Sequence, residues 1–336
     1  MIGDHFRPWG PFTWVLDRLQ APEWDYFGCH STEERCVGAL SVLELKTKSR
    51  NKKLVRVIDP PSQYSSRSES LLASTRTQFG NYIADDDIEE MSLFTDISTV
   101  AKLVTRFVAE SCGKVVIDIS SFPKRFFFPI VKLLMLNDKV TDLVATYTFP
   151  ATHSQSFLAE NPETWLNIPM FGPQNFPEVT TDYAIVGVGF HTYGLPELLK
   201  NEYSKSTVKL FFPFPPGPPS YQRTWEFVRE IEKYYPLRSS TQIVRVDAHD
   251  VSDAFSYICS ITNKGANSAV MAPYGPKPMS LAMCIYATLS NSPVYYTQPR
   301  VYNPDYCVGI NKINGVPDIS SYCIKLNGRL LYSLDN

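Results

Sequence analysis

The sequence lacks the short motifs that carry the most familiar nucleotide, ester and metal chemistries. It contains no GxxxxGK[ST] P-loop, no GxSxG nucleophile elbow, no HExxH zinc motif and no GxGxxG that opens a helix. The group Asp247, His249, Asp250 and Asp253 matches no zinc or calcium loop, and helix capping after a strand accounts for it. We therefore predict no metal site and no cofactor.

The chain also lacks an excess of one charge and a long apolar run. Its 32 Lys and Arg residues face 34 Asp and Glu residues, a net charge of −2. No global field then favours duplex nucleic acid or an anionic membrane, so any polyanion site is local. The densest apolar run, 126–136, is interrupted by Pro129 and Lys132 and is too short to span a bilayer.

Paired cysteine motifs and a secretory signal are missing as well. Seven cysteines form no CxxC pair, and the first residues show no basic segment followed by an apolar stretch. Free, mostly buried thiols in a chain without an export signal predict a cytoplasmic protein.

Proline and aromatic residues, in contrast, are abundant. The chain has 26 Pro, where average usage predicts about 17, and 13% of its residues are aromatic. Much of the proline falls just beyond predicted strand ends, at Pro60-Pro61, Pro123, Pro213 to Pro219, Pro273, Pro276, Pro278, Pro299 and Pro304. Because an open α/β sheet binds ligands at the carboxyl ends of its strands, this placement predicts a rigid, ring-lined cleft.

Apolar segments of strand length alternate with amphipathic segments of helix length along the whole chain, as at Val115–Ile119 and Ser98–Cys112. The alternation predicts an α/β protein made of two tandem Rossmann-like halves with mostly parallel sheets. Asn327-Gly328 predicts a C-terminal β-hairpin. The predicted parts are an N-terminal arm at 1–22, a first half at 23–150, a linker at 151–181 and a second half at 182–336 that includes the hairpin.

The two predicted halves repeat one another in the order of their parts. VVIDISSFPKRFFFPIVKLLML at 115–136 and SAVMAPYGPKPMSLAMCIYATL at 268–289 each read as a buried strand, a polar turn, a Pro-Lys pair and an apolar helix. Lys124, Arg125 and Lys277 stand at helix starts, where the dipole disfavours cations. Cations at these positions indicate a bound anion; the alternative is a basic surface.

The residues after strands offer further ligand groups. Ser31 and Arg35 could bind a phosphate through a hydroxyl and a bidentate guanidinium, or Ser31 could simply cap a helix with a charged surface. His191 and Thr192 hold the corresponding places in the second half. His191 is a catalytic candidate, and a structural histidine is the alternative. Gln298 and Asn303 could read base edges, whereas a rigid aromatic loop would explain them equally well.

The candidate ligand-binding residues are Ser31, Glu34, Arg35, Ser120, Ser121, Lys124, Arg125, His191, Thr192, Tyr274, Gly275, Lys277, Gln298, Tyr302 and Asn303.

Some of these residues resemble a known signature. Gly275, Lys277 and Met279-Ser280-Leu281-Ala282 form a Gly-x-Lys-x-Met-Ser-Leu-Ala sequence similar to that of CARF domains, and Asp118-Ile119-Ser120-Ser121 with Lys124 resembles the Asp-Ile-Thr approach to it. Both turns carry proline in place of the Gly-Gly-Thr-Lys form. CARF domains usually dimerise to sense cyclic oligoadenylates, and SAVED domains resemble two CARF units in one chain. The resemblance implies a sensor in prokaryotic antiviral defence.

Three functions remain open at the level of sequence. The first is a sensor subunit that binds a phosphorylated nucleotide, such as a cyclic oligonucleotide, in a cleft between the halves and signals to an effector protein subunit. The second is a metal-independent enzyme that cleaves a nucleotide phosphodiester in the same cleft, with Lys124 and Lys277 stabilising charge and either His191 or Glu34 moving a proton. The third is a non-catalytic scaffold of a defence complex. The expected partners include neither a membrane nor duplex nucleic acid.

Overall fold

The computed structural model describes residues 6–154, 159–173, 181–215, 221–235 and 242–335. Residues 216–219 of the proline-rich run, part of the predicted linker and the first residues of the predicted arm lie outside these ranges. The helices are α1 (Phe12–Leu19), α2 (Gly38–Lys46), α3 (Ser65–Phe79), α4 (Ile97–Glu110), α5 (Lys124–Leu136), α6 (Leu195–Lys200), α7 (Tyr221–Tyr234), α8 (Val251–Ile261) and α9 (Lys277–Ser290).

The strands alternate with these helices as predicted, and the α/β fold class is confirmed. They are β1 (Trp9–Pro11), β2 (Glu23–His30), β3 (Lys48–Ile58), β4 (Ile88–Ser92), β5 (Lys114–Asp118), β6 (Asp142–Thr148), β7 (Thr152–His153), β8 (Ala159–Asn167), β9 (Tyr183–Gly187), β10 (Thr207–Phe214), β11 (Ile243–Asp247), β12 (Ala269–Pro273), β13 (Tyr295–Tyr302), β14 (Cys307–Val308), β15 (Lys312–Ile313), β16 (Val316–Pro317), β17 (Ile319–Leu326) and β18 (Arg329–Leu330).

The chain divides into two compact units. The first consists of Met1–Glu160 and Arg300–Tyr332, and the second of Asn161–Pro299 and Ser333–Asn336. The described part of the predicted linker is not structureless, because β7 pairs with β14 and β8 pairs with β13.

The sheet of the first unit has the order β1-β17-β6-β5-β2-β3-β4. Within this sheet, the adjacent strands among β2, β3, β4, β5 and β6 are all parallel. From β4 across to β6, the sheet contains the third, second, first, fourth and fifth of these strands in chain order. This is the doubly wound order in which connections reverse direction between the first and fourth strands, here β2 and β5.

The sheet of the second unit repeats this order. Its parallel strands lie in the order β11-β10-β9-β12, and a parallel bridge between Met271 and Val294 places the next segment beside β12. The corresponding switch point lies between β9 and β12. Two Rossmann-like sheets in one chain agree with the fold predicted from the sequence.

The predicted C-terminal hairpin exists, but it joins the sheet of the first unit and not the second half. β17 runs antiparallel to β6 on one side and to β1 on the other, with Trp9 stacked on Tyr322 at 6.2 Å between ring centroids. The hairpin and the N-terminal arm thus close one edge of the first sheet. A hairpin pattern in a sequence specifies the turn and the alternation, but it does not specify which sheet edge the strands join.

The core of the first unit lies on both faces of its sheet. On one face, α1, α2 and α3 cover a cluster that includes Trp24, Tyr26 and Leu54. On the other, α4 buries Val100, Leu103, Val104, Phe107 and Val108, a helical spacing of apolar residues. Its first turn is capped by Asp96, whose side chain accepts from Ser98 N at 2.7 Å. Within the described residues, no helix is long and apolar enough to cross a bilayer.

Candidate ligand sites at the carboxyl ends of the strands

In the first unit, several predicted residues follow the two strands at the switch point. Ser31 comes directly after β2, and Ser120, Ser121 and Lys124 come between β5 and the first turn of α5. Glu34 begins a short 3-10 helix that leads into α2. The carboxyl ends of adjacent parallel strands share one edge of a sheet, so these residues gather at the same edge.

Ser120 uses its hydroxyl within the protein. The Ser120 Oγ donates to the Asp118 carboxylate and accepts from Thr148 N at 2.7 Å. Thr146 Oγ1 donates to the same carboxylate at 3.2 Å. Burial and the neighbouring Asp118 raise the pKa of Tyr26 well above its ordinary value, so its phenol stays protonated. Ser120 therefore ties β5 to β6 rather than facing a ligand.

Ser121 differs from Ser120 in this respect. Its side chain is only 9% exposed, yet its Oγ has no hydrogen-bond partner; Thr148 Oγ1, fully buried at the end of β6, has none either. Buried hydroxyls normally have a partner, so each unpaired one calls for an explanation. A ligand atom at this edge would supply the missing partner.

The helix that follows Ser121 favours an anion. α5 has 13 residues, no acidic residue in its first turn and no side chain that caps its first N–H groups. Its N-cap is Pro123, and its first residue is the half-buried Lys124. A positive dipole end with a lysine and an unpaired serine hydroxyl is the chemistry of a phosphate site.

Arg35 and Arg125 both have partners inside the protein. Arg35 is 5% exposed, forms an ion pair with Glu33 and donates to Tyr147 OH at 3.1 Å. The Arg125 guanidinium lies 5.4 Å from the centre of the Phe94 ring, and burial lowers its pKa, against the opposing charge of Asp96. Ser31 Oγ accepts from Glu33 N at 3.3 Å, a local turn at the start of this segment.

In the second unit, the connections after β9 and β12 cross in direct backbone contact. A Cβ on Gly189 would overlap the carbonyl oxygen of Tyr274, and a Cβ on Gly275 would lie 3.1 Å from Val188 O. Gly187, Gly189 and Gly275 therefore let two chain segments approach at the switch point. The predicted ligand residue Gly275 has this packing role in the structure.

Tyr274 is a core residue of the second unit. Its hydroxyl lies 2.8 Å from Thr297 Oγ1 and accepts from Thr297 N at 3.2 Å. Its ring contacts Tyr296, with 5.2 Å between centroids. These contacts occupy the ring and the hydroxyl of this predicted ligand residue.

The remaining candidates of the second unit lie near the same edge. His191 packs on Tyr193 with 5.4 Å between ring centroids. The carbonyl oxygen of Thr192 accepts a hydrogen bond from Leu195 N at 2.9 Å. Lys277 is the first residue of α9, whose first turn contains no acid. Lys277 thus has the same helix position as Lys124, as the predicted repeat requires.

Gln298, Tyr302 and Asn303 do not come together as one base-reading group. Gln298 is buried and donates from Nε2 to Pro299 O at 2.9 Å. Asn303 Oδ1 accepts from Asp305 N at 3.0 Å within a turn, and the half-buried Tyr302 ends β13. Gln298 belongs to the second compact unit, whereas the other two residues belong to the first.

A pocket in the first unit was not predicted from the sequence. It has a volume of about 480 Å³ and lies between the sheet and α3, lined by His30, Arg56, Glu69, Leu72, Ala73, Arg76, Asp85, Ile88 and Glu90. His30, Arg56 and Glu90 are register partners on β2, β3 and β4, so they project from the same face. The one sequence feature that indicates such a pocket is the presence of charged residues within two neighbouring strands, Arg56 in β3 and Glu90 in β4.

His30 is the most buried polar residue of this pocket. It is 4% exposed, and its Nε2 donates to Leu72 O at 3.1 Å. A carbonyl can only accept, so Nε2 carries the proton and Nδ1 is an acceptor. That Nδ1 atom is buried and has no hydrogen-bond partner.

The histidines make stability depend on pH. Burial lowers the pKa of His30, His153 and His191; for His30, Arg56 and Arg76 lower it further while the Leu72 carbonyl opposes the shift. As the pH falls through about 6.5, these histidines therefore become protonated in the unfolded chain but stay neutral in the folded chain. We expect the free energy of unfolding to be highest above this pH and to fall as the pH drops to 5.

The contribution of His30 is testable by substitution. His30→Gln should flatten the pH dependence, since one histidine with a lowered pKa contributes up to about 1.4 kcal/mol per pH unit between its folded and unfolded pKa values. Urea denaturation at pH values from 7.5 to 5 measures this slope. An identical slope in wild type and variant would contradict the assignment.

Among the described residues, no group of three or more His, Cys, Asp or Glu side chains could hold a metal ion.

No protein-family profile matches the chain, and no curated protein sequence matches it. Among solved structures, a candidate universal stress protein from Pseudomonas aeruginosa UCBPP-PA14 is similar at 15% sequence identity and a TM-score of 0.25, over 84% of this chain and 95% of that one. The class of the protein, an α/β protein with two Rossmann-like sheets, rests on its own strand order.

Proposed function

We propose that the first unit binds a phosphorylated nucleotide at the carboxyl edge between β2 and β5. The observation that carries the proposal is the buried Ser121 hydroxyl, which has no hydrogen-bond partner and precedes an uncapped 13-residue helix. A phosphate there would accept from Ser121 Oγ and from N–H groups at the start of α5, and Lys124 would balance its charge. The strand order supports the same edge, because doubly wound sheets bind ligands at this crossover.

Within this proposal, the ligand is a cyclic oligonucleotide and the protein is a cytoplasmic sensor subunit that acts on an effector protein in prokaryotic antiviral defence. The support is the resemblance of the Asp118–Ser121 and Gly275–Ala282 segments to CARF motifs. The repeated Lys position at the start of α5 and α9 adds to it.

Calorimetric titration tests the proposal. We expect cyclic di-, tri- or tetra-adenylate to bind the folded protein, and Lys124→Met and Ser121→Ala to weaken that binding about tenfold and about fivefold, the loss of one charged and one neutral hydrogen bond. Lys139→Met is the matched control, because Lys139 lies at the opposite end of the sheet, bonded to Ala109 O at 3.1 Å.

Two results would overturn the proposal. One is the absence of binding by all of these nucleotides to the folded protein. The other is binding whose affinity Lys124→Met and Lys139→Met change to the same extent.

A further inference from the structure

We propose that the pocket between α3 and strands β2, β3 and β4 is a second binding site, for a neutral ligand that carries a nucleobase. It goes beyond the proposed phosphate site, which involves Ser121 and the start of α5, whereas this pocket is lined by α3 and by residues of β2, β3 and β4. The inference stands on the pocket, on its balanced charges and on one unpaired buried acceptor.

The pocket has the size and walls of a small-molecule site. Its volume of about 480 Å³ falls within the usual range for ligand pockets. Leu72 and Ala73 of α3 and Ile88 of β4 give it apolar surface, against which a flat ring can lie. His30, Arg56 and Glu90 lie beside this apolar surface, and their positions are fixed because they belong to adjacent strands.

The charges of the pocket exclude a strongly anionic ligand. Arg56 pairs with Glu90 at 2.7 Å, and Arg76 pairs with Asp85 at 2.7 Å while also donating to Ile83 O and Gly80 O. Glu69 adds a further carboxylate to the lining. With both arginines balanced and one acid in excess, the pocket attracts no phosphate group.

The groups left available match one edge of a base. Arg56 has a guanidinium with donors beyond the one that Nη1 gives to Glu90. The His30 ring offers a neutral acceptor at Nδ1, since burial lowers its pKa. A ligand edge with an acceptor beside a donor satisfies both, and adenine has such an edge in its ring nitrogens and amino group.

The remaining carboxylate suits the sugar. Glu69 can accept hydrogen bonds from hydroxyl groups, so a nucleoside uses more of the pocket than a free base does. Adenosine is therefore the probe, because it carries the base edge and the hydroxyls but no phosphate.

Calorimetry or ligand-observed NMR with adenosine tests the pocket. We expect saturable binding that His30→Leu and Arg56→Met each weaken about tenfold. Purine riboside, which lacks the amino group, should bind about tenfold more weakly than adenosine. Arg106→Met is the matched control: it removes an exposed arginine paired with Glu89 of the same strand β4, outside the pocket lining, and should leave binding unchanged.

The outcomes separate this site from the phosphate site. The pocket is supported if Lys124→Met leaves the affinity for adenosine unchanged and Arg56→Met lowers it. This holds whatever the result of the nucleotide titrations. If His30→Leu fails to fold, Arg56→Met carries the test. No saturable adenosine binding to the folded wild type, or equal affinity for adenosine and purine riboside, overturns the inference.

Discussion

Replacing Gly189 by alanine is expected to lower the free energy of unfolding of the second unit by about 3 kcal/mol or more. The new Cβ would overlap Tyr274 O and lie 2.8 Å from Tyr274 C, far inside van der Waals contact. Both atoms belong to the backbone, so no side-chain rotation can relieve the overlap. The segments after β9 and β12 would have to separate at the switch point.

Gly172→Ala provides the control for this prediction. A Cβ at Gly172 meets nothing within 4 Å, and its backbone is not in the left-handed region. That variant should keep the stability of the wild type. Urea denaturation followed by tryptophan fluorescence compares the two, and a loss below about 1 kcal/mol in Gly189→Ala would contradict the close approach described here.

The second large effect is expected at Arg35. Arg35→Met should destabilise the first unit by about 3 kcal/mol, because it leaves Glu33 without its ion-pair partner and Tyr147 OH without its donor. Thermal or urea unfolding measures the loss. Arg67→Met removes an exposed bidentate pair with Asp305 and should cause no measurable change.

Arg35→Met also separates a structural arginine from a ligand clamp. The sequence is compatible with Arg35 as a bidentate phosphate ligand, whereas in the structure its guanidinium pairs with Glu33 and donates to Tyr147 OH. We therefore expect the folded fraction of Arg35→Met to bind nucleotide with wild-type affinity. A tenfold loss of affinity together with unchanged stability would restore the role as a clamp.

Much of the fold could be predicted because strongly patterned segments determine their own type. The helix predicted at Ser98–Cys112 is α4, Ile97–Glu110, in the structure, and the buried strand predicted at Val115–Ile119 is β5, which is shifted by one residue at each end. The strand β4 is not evident from the sequence pattern, because its residues Glu89 and Glu90 follow three aspartates. An edge strand can nevertheless carry charge on its exposed side.

The candidate site could be predicted in part. Ser31, Ser121 and Lys124 could be chosen from the sequence because they follow predicted strands, where α/β sheets bind ligands. In the structure, the strands that precede them, β2 and β5, are neighbours. The internal partners of Ser120 and Arg35 could not be foreseen, since Thr148 and Tyr147 lie far along the chain. The pocket beside His30 could not be predicted for the same reason, because the alignment of His30, Arg56 and Glu90 depends on the register of three strands.

The most direct test of the phosphate site is the amide NMR spectrum of the 15N-labelled protein during titration with inorganic phosphate and with cyclic tri-adenylate. We predict saturable shifts at the amides of Ser121, Lys124 and Arg125, and much weaker shifts there in Lys124→Met. Saturable shifts of other residues, with these three amides unmoved, would contradict the proposed site.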